Sequence, residues 1–168
     1  MGPGESNVER GRSGYYHVRA YSRAPLPHQA NIMTDLVSEQ QLELARASYA
    51  RCQQVPDFFR RFYNRFHASD PAIPAFFTGT KFEQQDKLLQ HGVSLLLIYA
   101  RQANPELLAR IAKRHGPGDL AIPKRLYEPF AASFLSTVQE CDSMCDAATI
   151  AAWQAALEPG LRFIRDGA

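Results

Sequence analysis

From Ser38 to the end of this 168-residue chain, apolar side chains recur three and four residues apart, and nowhere does an apolar–polar alternation persist. That spacing lines up one face of an α-helix, whereas strands need a period of two. The chain is therefore expected to be all-α, with about six or seven helices. Ser38-Glu39-Gln40-Gln41 reads as a capping box, followed by Leu42, Ala45, Tyr49 and Cys52 on one face. Pro56 opens a second helix carrying Phe58, Phe59, Phe62, Tyr63 and Phe66 as an aromatic stripe. Asp70-Pro71 starts a short turn ending at Phe76-Phe77, and a long helix from about Thr80 to Gln102 presents Phe82, Gln85, Leu89, Val93, Leu96 and Ala100. Asn104-Pro105 caps a short helix that stops at His115-Gly116-Pro117-Gly118. Tyr127, Ala131, Phe134 and Val138 mark the next helix, with Pro129 implying a kink or a later start. Ile150, Trp153, Leu157, Leu161 and Ile164 mark the last.

The first 34 residues are different. They mix Gly, Pro, Arg, Ser, Tyr and His with no apolar run, so we expect a disordered extension over 1–34 and one folded domain over 35–168. The extension lacks the apolar segment of a signal peptide, and Met33 just ahead of the first helix suggests a mis-assigned start codon. No stretch reaches the ~18 apolar residues of a membrane span. A net charge of +2, from 19 basic and 17 acidic residues, gives no electrostatic basis for binding nucleic acid or a membrane surface. Cys52, Cys141 and Cys145 contain no CxxC pair, and free thiols in a reducing, cytoplasmic setting are expected.

His115 is the residue with the most chemistry to offer. Leu108, Ile111 and His115 are spaced i, i+3, i+7, which puts the imidazole on the apolar face at the end of its helix. Such a histidine serves as a helix cap, as a hydrogen-bonded core residue, or as an axial metal ligand. Tyr63 is either a core tyrosine with its hydroxyl at the edge or a pocket donor. Gln85 shares a face with Phe82 and Leu89, while the alternative register points Gln84 inward. Phe77 and Leu89 suit a core and a pocket wall equally.

The order of these segments resembles the globin family, specifically full-length three-over-three bacterial single-domain globins and the globin domain of flavohaemoglobins. Phe62-Tyr63-Asn64-Arg65-Phe66 with Asp70-Pro71, then Phe76-Phe77, Gln84-Gln85-Asp86-Lys87-Leu88-Leu89 and Ile111-Ala112-Lys113-Arg114-His115 carry the likeness over roughly residues 38–165. Gln85 and His115 lie 30 positions apart, which suits one long helix plus a short one. The resemblance implies a haem (heme b, iron) with His115 as the iron ligand, Phe77 packed flat on the porphyrin, and Leu89 crowding the ligand side. Tyr63 and Gln85 would donate hydrogen bonds to oxygen. His115 would fix its tautomer through the carbonyl one turn back, near Ile111.

Flavohaemoglobins also link the proximal histidine through a tyrosine to an acid near the end of the last helix. Here Tyr127 matches the tyrosine, but the chain closes Phe163-Ile164-Arg165-Asp166-Gly167-Ala168 without a clear counterpart of the acid. The implied function is reversible binding of a diatomic gas: oxygen first, with nitric oxide and carbon monoxide as others. Two further functions fit the same resemblance: a gas sensor signalling in trans, and a nitric-oxide dioxygenase served by an external reductase.

Overall fold

The computed structural model describes residues 37–167. The extension expected over 1–34 and its Met33 lie outside the described residues, as does Ala168. Among the described residues six α-helices follow one another: α1 (Glu39–Cys52), α2 (Phe58–Ser69), α3 (Phe82–Gln102), α4 (Glu106–His115), α5 (Tyr127–Cys141) and α6 (Ala147–Gly167). One 3-10 turn, Ile73–Phe77, joins α2 to α3, and another, Lys124–Leu126, leads into α5. Among the described residues there is no strand.

The local signals act as anticipated, with small shifts. Ser38 Oγ accepts from Gln41 N–H at 3.2 Å while Gln41 Oε1 accepts from Ser38 N–H at 3.1 Å, so the capping box forms in both directions. Pro56 sits in the turn before α2, and the helix begins two residues later, after Asp57. Arg61 pairs with Asp57 at 2.9 Å and strengthens that start. Asp70 Oδ1 accepts from Ala72 N–H at 2.8 Å, closing the Asx turn ahead of the 3-10 segment. Asn104 Oδ1 accepts from Glu106 N–H at 3.0 Å and so caps α4. Pro129 neither kinks nor delays α5: it falls in the first turn, where its missing N–H costs no helix bond. The proline that does stand inside a helix is Pro159 of α6, which the apolar spacing of that segment conceals.

The helices form two layers. α1, α3 and α4 make one, α2, α5 and α6 the other, and α6 packs across against all three helices of the first layer. Trp153 at the centre is fully buried, and its Nε1–H donates to Ser48 Oγ at 3.0 Å, tying α6 to α1. Phe134 meets it edge-on, and Phe58 and Phe62 pack edge-on against Phe134 in turn, linking α2, α5 and α6. Where α6 crosses α3 and α4 it presents Gly160; a Cβ there would lie 2.4 Å from Leu96 Cδ2 and 3.2 Å from Leu108 Cδ1. Leu89, Val93, Leu96 and Ala100 are buried as expected, whereas Phe82 at the head of α3 is 53% exposed. The stripe fails there because α3 begins at Phe82, beyond the reach of the core.

Candidate functional site

The aromatic stripe of α2 ends in a small chamber. Tyr63, His67, Pro74, Phe77, Thr80, Phe82 and Gln85 line a cavity of about 150 Å³ between α2, the 3-10 turn and the start of α3. Tyr63 is 5% exposed, and burial pushes its phenol well above the usual range, with the Asp86 carboxylate adding to the shift. It is therefore a neutral hydroxyl able to donate. In the structure it donates to the main-chain oxygen of Gln85 at 3.1 Å. Phe77 packs edge-on against Tyr63 at 5.6 Å and lies tilted against the His67 ring at 4.8 Å. Gln85 is half-buried at the cavity wall, and Gln84 is exposed. Leu89, one turn further along α3, belongs to the buried core and is not part of the lining.

His115 stands apart from that chamber, at the end of α4. The helix has two apolar stripes. Leu108 and Ala112 are buried, and beside them Leu107, Ile111 and His115, at i, i+4 and i+8, are half-buried. Burial lowers the imidazole pKa first, Arg114 lowers it further, and Asp119 opposes both. A neutral ring is thereby favoured, which is the form that binds metals.

The partner of Nδ1 is not a carbonyl near Ile111. It is the hydroxyl of Tyr127, 3.1 Å away. The turn after α4 accounts for this: Ala121 N–H bonds Gly116 O at 2.9 Å and Ile122 N–H bonds His115 O at 2.9 Å. These bonds fold the chain back so that α5 begins beside the ring. Tyr127 is buried, which pushes its phenol up to about 12, with the Arg165 cation opposing. At the end of α6, then, the charge that acts on Tyr127 is a cation. Arg165 is itself held in a two-pronged pair by Asp166, at 3.0 Å through both nitrogens. Lys113 is exposed and Arg114 pairs with Asp119 at 3.2 Å.

The surface left over suits a flat apolar cofactor with a metal at its centre. Leu88 on α3 is 62% exposed, and Leu107 and Ile111 on the neighbouring α4 are half-covered. Gly92, four residues beyond Leu88, has nothing within 4 Å of where a Cβ would stand. A mid-helix glycine costs about 0.5–1 kcal/mol against alanine, and here it leaves open room beside a helix face. A neutral imidazole and uncovered apolar side chains on α3 and α4 fit such a group.

His67, Pro74 and Thr80 of the lining are not among the site residues expected from sequence. His67 follows Tyr63 by four positions, so the helical repeat already put it on the same face. Thr80 carries no periodic signal, and only the fold brings it to the cavity.

The sequence matches no family model and no curated protein. Among solved structures it resembles that of a Pseudomonas aeruginosa PAO1 protein described as structurally highly homologous to a human hemoglobin. The two share 33% sequence identity and a TM-score of 0.73, over 75% of this chain and 96% of the other. With two crossed three-helix layers and this degree of identity along nearly the whole of that protein, the chain belongs to the globin family.

Proposed function

We propose that this globin holds a haem through His115 and reversibly binds oxygen, with carbon monoxide and nitric oxide as further ligands. The observation that carries the reading is the division of labour on the His115 ring. Tyr127 occupies Nδ1, so Nε2 is the nitrogen left for a metal. Once Nε2 is a ligand, the ring proton resides on Nδ1 and the Tyr127 oxygen accepts it, which fixes both tautomer and ring orientation. When bound, haem iron supplies the atom that takes up a diatomic gas. Phe77 and Leu89 are the apolar residues we assign beside the cofactor. Tyr63, with Gln85 at the same cavity wall, is the donor we assign to a polarised ligand such as oxygen, in preference to neutral carbon monoxide.

Expression in haem-replete cells tests this directly. The purified chain should be red, with a Soret band that shifts on adding carbon monoxide, and His115→Ala should lose haem to an apoglobin acceptor at least tenfold faster. A colourless protein that cannot be reconstituted would end the proposal; a red His115→Ala variant with an unchanged spectrum would move the ligand to another residue.

A further inference from the structure

His67 has an unmet hydrogen bond. Its Nε2 is buried, yet it has no hydrogen-bond partner, while the ring packs on Phe77 and lies 6.0 Å from the Tyr63 ring, centre to centre. Burial lowers its pKa, so the neutral imidazole offers a nitrogen that should be satisfied by something. The cavity beside it, about 150 Å³, exceeds the roughly 30 Å³ that one water occupies. Its lining also carries the polar side chains of His67, Tyr63, Thr80 and Gln85, enough for the two to four partners that a trapped water needs. Two of these are already engaged as donors, Tyr63 to Gln85 O and Thr80 to Phe77 O at 2.6 Å, leaving their oxygens as acceptors.

We propose that His67 is a positioning residue of the ligand pocket, anchoring through Nε2 a water that hydrogen-bonds to the oxygen of Tyr63. The consequence is for the phenol. A hydroxyl that accepts a hydrogen bond becomes a stronger donor. His67 thereby sets how strong a hydrogen bond the Tyr63 O–H can give to a gas ligand. The proposal rests on the haem-globin reading for its effect on ligands, but not for the water itself.

The experiment uses the full chain, haem-loaded, with His67→Phe and His67→Gln compared with wild type and Tyr63→Phe. Phenylalanine removes the nitrogen and keeps a ring, whereas glutamine restores a polar group. His67→Phe should raise the infrared stretching frequency of bound carbon monoxide and speed oxygen release about fivefold, the value of one hydrogen bond. His67→Gln should return both toward wild type, a rescue that a packing role would not give. If His67→Phe matches wild type in both readouts while Tyr63→Phe moves them, the proposal is overturned.

Should the chain take up no haem, the functional reading fails, and the water is judged separately by nitrogen-15 NMR of the His67 ring. Tyr63→Phe keeps the neighbouring aromatic ring and deletes only the hydroxyl. Altered His67 ring-nitrogen shifts in that variant support the bridge, and unchanged shifts refute it.

Discussion

Tyr63 and His115 show how differently two candidate site residues can be read. The periodicity of α2 places Tyr63 among buried aromatics, and the buried hydroxyl needs a partner by elementary accounting. That partner, the Gln85 carbonyl, lies on a different helix and emerges only when α2 and α3 are packed. If Tyr63 donates to bound oxygen in the haem-loaded protein, Tyr63→Phe should accelerate oxygen release about tenfold, equivalent to about 1.4 kcal/mol; an unchanged stopped-flow rate would assign the donor to Gln85 or water. For His115, the helix end and apolar spacing were legible, but the Nδ1 partner was not. A backbone carbonyl one turn back is the nearest candidate along the sequence, and a hydroxyl twelve residues on requires the return turn from Gly116 to Ile122. Gln85 was separable from Gln84 by its face alone, because Gln85 shares a stripe with Leu89 and Gln84 does not.

At the level of helices, caps and apolar stripes were readable because each is a matter of a few neighbouring residues. The Ser38 box, the Asp70 and Asn104 turns and the buried stripes of α1, α3 and α5 all depend on spacing within a single turn or two. Prolines were less transparent. Pro129 is harmless in a first turn, and Pro159 is carried inside α6, since burial of Ala156, Leu157, Gly160 and Leu161 outweighs one lost backbone bond. The glycine after it has a purpose that no local pattern announces. Gly160→Ala would force a methyl group against the end of Leu96; overpacking of this kind costs about 1–3 kcal/mol, while the gain in helix propensity returns about 1 kcal/mol. A net fall in thermal midpoint of a few degrees is expected. A variant as stable as wild type would show that Leu96 simply rotates away.

Across the whole molecule, the end of α1 is fastened to the α5–α6 turn by a charge pair of unequal burial. Arg51 Nε and one terminal nitrogen reach both oxygens of Asp142 at 2.5 and 2.8 Å; the Asp142 side chain is fully covered, and that of Arg51 is 32% exposed. Bonds from Arg51 hold the Asp142 carboxyl down at about 2 against the desolvation that would raise it. A depressed carboxyl stabilises the fold at pH values above its unfolded pKa near 4, and that stability disappears as pH falls toward 2. The amount is about 2 kcal/mol. Asp142→Asn should therefore lower stability by about 1–3 kcal/mol at neutral pH and flatten the acid limb between pH 4 and 2 in denaturant titrations. An acid limb identical to wild type would place the sensitive carboxylate elsewhere.

The other end of the fold is fastened less firmly. α4 has only ten residues, of which Leu108 and Ala112 alone are buried, and left-handed alanines flank it, Ala103 at φ 48° and Ala121 at φ 50°. A helix of that length is marginal by itself, and each left-handed alanine adds roughly 1 kcal/mol of strain. Its amides can thus reach solvent through local opening while α1, α5 and α6 stay folded. If a ligand binds the His115 imidazole as proposed, hydrogen-exchange protection should rise in α4, the short helix that carries it.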